Sequence, residues 1–430
     1  MSDSSMTSPV ALTAEQPSSK WGAAVFLMLL LSGVIYAGFS LYSDLHLIPS
    51  RPTMAYVLLG LALFIALGFE FVNGFHDTAN AVATVIYTHS LQPNTAVVWS
   101  GLFNFLGVLT SSGAVAYGII SLLPVELVLH VGSNAGFAMI FSLLLAAIIW
   151  NLGTWWLGLP SSSSHTLIGS IIGVGVANQL MSAHAGTGGV DWHQVLNVGK
   201  ALLFSPIIGF LLAGALLLLA KTLLPIAALY QPPKDQKAPP WPIRLLLVFT
   251  CTAVSFAHGS NDGQKGMGLI MLILIGTVPM AYALNHALPE SELAQFSKTS
   301  LQAQRALHDL LPAGAALNHQ LDPRVMVTEL VEQKQGTPQQ LAAVDQLIGQ
   351  IALEVGQHEN LKTVPADEVG NIRNDMYLTS ESLRLIQNQQ LQHNFRLNDA
   401  NNQAISAYHQ PLITPRNLSQ IGLKWRLRWL

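Results

Sequence analysis

An all-α, polytopic membrane fold is what the sequence predicts, and three observations predict it. Asp, Glu, Lys and Arg make up only 10% of the 430 residues, against roughly 25% in soluble proteins. Mean hydropathy is +0.43. Uncharged apolar runs of about 20 residues, the length a spanning helix needs, recur through the first two thirds of the chain. The charge is also uneven: residues 1–289 hold 17 of the 43 charged residues and residues 290–430 hold 26, so two physical regimes share one chain.

Residues 1–20 form a polar tail with Asp3, Glu15 and Lys20. The run from Trp21 to Tyr42 carries no charge and is too long for the apolar core of a signal peptide, so it is expected to remain as a membrane helix. Further spanning segments are expected at 53–72, 96–121, 134–157, 162–181, 201–220, 243–258 and 266–285, which makes eight. No Asp, Glu, Lys or Arg occurs between Leu127 and Val190. Helices must pack closely there, and Gly107, Gly113, Gly118, Gly169, Gly173 and Gly175 suit such packing, because small residues let helix backbones approach in lipid.

A Pro-rich linker, 221–244, separates a first membrane part (21–220) from a second (245–288). It carries Lys221, Lys234, Lys237 and Arg244, whereas the loops near His89, Ser133 and His184 are nearly free of Lys and Arg. The positive-inside rule therefore places the linker in the cytoplasm. From residue 289 to 430 the chain turns polar, and a soluble helical region is expected. Within it Leu341, Val344, Leu347, Ile348 and Ile351 share one helical face. The closing IGLKWRLRWL interleaves basic and aromatic residues, a composition that suits either a lipid surface or an unstructured end.

Several function classes find no support. No basic stripe with interleaved aromatics points to nucleic acid. The single cysteine, Cys251, excludes an intrachain disulfide and sits in an apolar run, which fits a small buried apolar role. No GxxxxGK[ST], HExxH or CxxC motif is present, and His46, His130, His184 and His193 lack ligand spacing. An enzyme is not expected, nor a cofactor or resident metal.

Polar chemistry concentrates at three places inside apolar sequence. In the first, YVLLGLALFIALGF leads into Glu70-Phe-Val-Asn-Gly-Phe-His-Asp77-Thr-Ala-Asn80-Ala. A charge at the centre of a membrane helix costs about 2.5–3.5 kcal/mol on insertion scales, so acids there are functional candidates. Glu70 and Asp77 are seven apart and would share a face of a continuous helix. Gly74 invites a break, which would free backbone groups for an ion. The plain structural alternative is a polar clasp between helices.

In the second, LLLVFTCTAVSF leads into Ala257-His258-Gly-Ser-Asn261-Asp262-Gly-Gln-Lys265-Gly266. Setting Asp77 on Asp262 pairs Gly74 with Gly259, Asn80 with Lys265 and Ala81 with Gly266. Such an internal repeat is the signature of transporters built from two related halves, with the substrate site at their interface. Lys265 either neutralises Asp262 or faces an anionic substrate. In the third, Gly158-Leu-Pro160 precedes Ser161, Ser162, Ser163, Ser164, His165 and Thr166. This reads as a helix N-terminus inside the membrane, with Pro in the first turn, Ser as cap and the dipole's positive end favouring an anion. The serines alternatively serve only as a cap or an interhelical bond.

Together, NGFHDTANAVAT, FNFLGVL, AAIIWNLGTW, GLPSSSSHTLIG and SFAHGSNDGQKGMGLIMLILIG resemble the inorganic phosphate transporter (PiT) family, bacterial low-affinity permeases in particular. The match runs in order over residues 50–285 and includes the family's G-x-[NH]-D-x-x-N-A signature. The resemblance implies an inverted-repeat secondary transporter of a bacterial inner membrane. It would move inorganic phosphate with protons, or as a neutral divalent metal–phosphate complex; other members use sodium, and a sulfate carrier of similar build is a further alternative. Carried over by position, Asp77, Asn80, Ser162, Ser163, Ser164, Asn261 and Asp262 would bind phosphate. Glu70, Asp77 or Asp262 would couple the ion, since burial favours a carboxylate's neutral form, and Lys265 would be a charge partner. Oligomeric state is left open, a homo-oligomer included. The family also carries membrane helices after the soluble region, with a second P-x-S-[ST]-[ST]-H element. This chain shows neither, so the second repeat is expected to be incomplete, and a truncated, non-transporting subunit is the alternative outside transport.

Overall fold

The computed structural model describes residues 20–46, 53–111, 114–120, 122–159, 161–181, 190–231, 237–284, 290–311, 322–358, 361, 364–392 and 397–413. The polar N-terminal tail, Gly113, Pro160, His184, Lys234 and the basic-aromatic end lie outside these residues. The regular structure is helical: α1 (Lys20–His46), α2 (Thr53–Tyr87), α3 (Pro93–Thr110), α4 (Ala114–Ile120), α5 (Val125–Leu129), α6 (Asn134–Trp156), α7 (Ser163–Met181), α8 (Trp192–Leu223), α9 (Trp241–Thr277) and α10 (Pro279–Tyr282). A C-terminal helical region follows, with α11 (Glu290–His308), α12 (Pro323–Gln333), α13 (Pro338–Gly356), α14 (Ala366–Gln387) and α15 (Asp399–Ile413).

Among the described residues five helices are long and apolar enough to cross a membrane, within α1, α2, α6, α8 and α9, rather than the eight segments expected. Two causes account for most of the difference. The segment 96–121 divides at Ser111 into α3 and α4, and 243–258 joins the first part of 266–285, as far as Thr277, through the polar motif into the single helix α9. The expected break at Gly74 is likewise absent. One glycine costs a helix only about 1 kcal/mol relative to Ala, and the Thr78 hydroxyl donates to the Gly74 carbonyl at 2.6 Å, closing the turn there. At 35 and 37 residues, α2 and α9 rise about 52 and 56 Å, well beyond a hydrocarbon core of about 30 Å. The linker shortens accordingly, since Lys221 still belongs to α8 and Arg244 to α9.

The membrane core is an apolar cluster of α2, α5, α6, α7 and α9 that includes Phe69, Leu127, Leu144, Leu167 and Leu272. Beside it α3 lies against α9 with almost nothing between their backbones. A Cβ added at Gly107 would run into the Phe256 carbonyl, and one at Gly259 into the backbone of Asn104. Gly107 and Gly175 thus pack as the sequence suggests. A Cβ at Gly118, Gly169 or Gly173 would meet nothing among the described residues, and the close approaches instead recruit Gly259, Gly268 and Gly276 of α9. The described part of α1 and all of α8 bury no residue. Their exposed Leu, Ile and Phe side chains suit hydrocarbon.

In the C-terminal region Leu341, Val344, Leu347, Ile348 and Ile351 are all fully buried, as the amphipathic pattern of α13 predicts. A capping box between Thr337 and Gln340 starts that helix, and an Arg324–Asp375 pair with both carboxylate oxygens engaged ties α12 to α14. Beside apolar packing of Val125 and Leu129 on its core, polar contacts join this region and the adjoining α10 to one end of the membrane helices. Arg384 Nη2 donates to Asp191 Oδ2 at 2.6 Å, and Lys334 Nζ stands 3.4 Å from Asp191 Oδ1. Arg373 Nη1 donates to the Val128 carbonyl at 2.7 Å, and the Tyr282 hydroxyl to Asp44 at 2.8 Å. Asp191 is also the N-cap of α8, accepting from the His193 and Gln194 amides. From there α8 rises about 48 Å over its 32 residues to the linker, where Arg244 Nε meets the Ser90 carbonyl. The linker and the C-terminal region therefore sit at opposite ends of the bundle.

Two expectations follow from this arrangement. In a Cys251→Ser background, a membrane-impermeant maleimide applied to intact cells should label only one of Lys237→Cys and Gln346→Cys, and inside-out vesicles should reverse the choice. Labelling of both from one face would contradict the arrangement. Burial pushes the Asp191 carboxyl upward, but Lys334 and Arg384 outweigh it and hold the group below its ordinary value. A depressed folded-state value stabilises above the unfolded pKa of about 3.9 and loses that stabilisation as pH falls further. Thermal unfolding of Asp191→Asn should thus fall below wild type at pH 7, and the gap should close in the acid range; a gap that persists there would contradict the linkage.

Candidate functional site

Where α2, α7 and α9 meet, they bring the two Asp motifs and the serine element together. On α9, His258, Asp262 and Lys265 follow the i, i+4, i+7 spacing of one face. Across from them α2 presents Asp77, and the N-terminus of α7 lies between. Ser163 Oγ donates to Asp77 Oδ2 at 3.0 Å. Lys265 Nζ donates to Ser164 Oγ at 2.6 Å and stands 2.7 Å from Asp262 Oδ2. His258 Nε2 is 3.5 Å from Asp77 Oδ2 and 3.4 Å from Asp262 Oδ2.

The imidazole is aimed by α3. Asn104 Nδ2 donates to the Ser100 carbonyl at 3.0 Å, which leaves its Oδ1 to face His258 Nδ1 at 2.8 Å. An Nδ1–H donating to that oxygen turns Nε2 toward the two carboxylates. The neutral ring would then show them a lone pair, and the charged ring an N–H. The Gly107 and Gly259 contacts between α3 and α9 hold Asn104 at that distance.

Charge is the governing quantity. One ligand atom each from Asp77, His258 and Asp262 lies within 4.8 Å of the others. Two carboxylate charges at that separation repel by about 3–4 kcal/mol even at an effective dielectric near 20. Lys265, only 4% exposed, offsets one of them. With a neutral His258 the cluster keeps a net charge of −1, so it has room for one further positive charge: a proton on the imidazole, or an ion held by the two acids and the ring.

Not every candidate joins this cluster. Glu70 lies at its flank, in space that only a glycine at 266 leaves free, since a Cβ there would run into its carboxyl. Its Oε1, with Asn73 Oδ1 and both polar atoms of the Asn151 amide, is buried without a hydrogen-bond partner among the described residues. Ser162 caps α7 and pairs with His165 Nδ1 at 2.9 Å. Asn80 and Asn261 lie on exposed helix faces. His258 and Asn104 are the members that sequence reasoning missed. The i, i+4 spacing of His258 to Asp262 was a readable signal; Asn104, a lone amide in FNFLGVL, offered none.

Comparison with known proteins gives this geometry a context. The phosphate transporter family profile matches residues 73–357. The low-affinity inorganic phosphate transporter PitA of Escherichia coli (strain K12) is 39% identical over 353 residues, covering 79% of this chain and 70% of PitA. PitB of the same organism is 47% identical over 239 residues, covering 53% of this chain and 48% of PitB. A low-affinity inorganic phosphate transporter of Buchnera aphidicola subsp. Acyrthosiphon pisum is 47% identical over 251 residues and is covered over 51% of its length. The chain thus spans from about half to 70% of these relatives. No solved structure matches it.

The backbone contact that aims His258 is testable. Gly259→Ala should lower stability in detergent by about 1–3 kcal/mol, the usual cost of overpacking, seen as a lower melting temperature. An unchanged melting temperature would mean that α3 can retreat freely.

Proposed function

The chain belongs to the phosphate transporter family, and from that premise we propose that it carries inorganic phosphate across a bacterial inner membrane together with protons. One observation carries the reading: two half-buried acids and a buried lysine, together one positive charge short of neutrality and hydrogen-bonded to the N-terminus of α7. A phosphate anion approaching the cluster meets a net negative charge and is disfavoured until a cation or proton arrives. Once His258 is charged, the N-terminal amides of α7, the Ser164 hydroxyl and the one remaining Lys265 N–H offer donors to phosphate oxygens. Binding of anion and proton is thereby linked, which is what symport requires.

The roles follow from position. Asp77 and Asp262 hold the coupling charge, His258 takes up the proton at Nε2, and Ser163 and Ser164 present α7 to the anion. Glu70 is a second protonatable group at the flank, and Asn80, Asn261 and Ser162 would contact cargo from the exposed faces. One further observation favours a second reading. The Asp77, His258 and Asp262 ligand atoms are close enough to hold a divalent ion, so the cargo would be a metal–phosphate complex with the metal as co-substrate.

Uptake of labelled phosphate into proteoliposomes tests both. An inward proton gradient should raise the initial rate, with sulfate competing poorly. Asp77→Asn should lower the rate about tenfold or more, as loss of one charge-assisted hydrogen bond implies. His258→Gln should make the initial rate indifferent to the inward proton gradient, since it removes the ring that faces both carboxylates. Uptake indifferent to the proton gradient but driven by sodium would overturn proton coupling, and a strict requirement for divalent metal would select the second reading.

A further inference from the structure

The two halves of the internal repeat differ at one position that matters electrically. The residue three after the acid is Asn80 in the first motif and Lys265 in the second. Asn80 points to an exposed face. Lys265 is buried, with its ammonium 2.7 Å from Asp262 and 2.6 Å from Ser164 Oγ. These two oxygens, one charged and one neutral, on two helices, are the kind of pair that a small monovalent cation takes as ligands.

On the strength of the transport reading above, we infer that Lys265 is a tethered cation: its ammonium fills the place between Asp262 and α7 that an exchangeable cation such as sodium would otherwise occupy. Lys265 is thereby a determinant of coupling-ion specificity. Asp262 has a counter-charge that never leaves with the cargo, so the cluster takes up a single exchangeable positive charge, beside Asp77 or on the His258 ring that faces both acids. Asp77 has no ammonium or guanidinium beside it among the described residues. Its neighbours are Ser163 at 3.0 Å, His258 at 3.5 Å and His76 at 3.7 Å, so its counter-charge must come from a proton or a free ion. The asymmetry sets one exchangeable cation, not two, for each passage through the cluster.

The test measures sodium binding without phosphate, so it stands whether or not the chain transports. Thermal unfolding of the purified full chain is followed in sodium chloride against choline chloride at equal ionic strength. Asp77→Asn serves as the background, so that any sodium effect must come from the Asp262 side. Asp77→Asn alone should show no difference between the salts. Adding Lys265→Asn should create a saturable, sodium-dependent rise of about 2 °C or more in melting temperature. Adding Lys265→Met, which removes the charge without supplying an oxygen ligand, should not. Equal behaviour of the Asn and Met variants in the two salts overturns the inference, as does a sodium response in Asp77→Asn with Lys265 intact. If neither Lys265 variant is recovered, Asp77→Asn decides alone: a sodium response overturns the inference and its absence supports it.

Discussion

The arrangement depends on one small junction, where the N-terminus of α7 is bonded to one acid directly and to the other through Lys265. Ser163 holds Asp77, and Ser164 holds the ammonium that neutralises Asp262. Without it, two carboxylates from separate helices would face each other across a few ångströms in a poorly polarisable interior. With it, each has a partner, and the remaining imbalance is a single charge. Buried polar groups are costly unless paired, so this junction constrains where α2, α7 and α9 can stand. The apolar packing of the same helices then fills the space around it.

Much of the molecule was legible in the sequence because its causes are local. Apolar runs marked α1, α2, α6 and α9, and the face Leu341 to Ile351 marked the core of the C-terminal region. The acid motifs and serines announced themselves as polar residues where polarity is expensive. What stayed hidden was continuity and partnership. Gly74 and the 259–266 stretch read as breaks, yet one glycine is a small penalty beside a full ladder of helix hydrogen bonds. His258 looked like scenery until α3 turned its ring. Asn104 needed tertiary structure to acquire a meaning at all, as did the close approaches at Gly259 and Gly268.

The C-terminal region shows a different economy. Its core is built of its own leucines and isoleucines with Val125 and Leu129 of α5 packed against it, and strongly polar contacts join it to the membrane helices as well: Asp191 with Arg384 and Lys334, and Arg373 with a carbonyl. Such contacts fix orientation more than they add stability. Because Asp191 also caps α8, the region is tied to the helix that otherwise buries nothing.

The glycine seam between α3 and α9 has a mechanical side. Backbone pressed on backbone admits no sliding, since repulsion climbs steeply and there is no side chain to swing aside. These two helices must travel as one plank. The seam between α9 and α7 is of another kind, closed by hydroxyl and ammonium groups that can trade partners with water or cargo. The protein thus carries a welded joint beside a latched one, and the charged cluster sits on the latch.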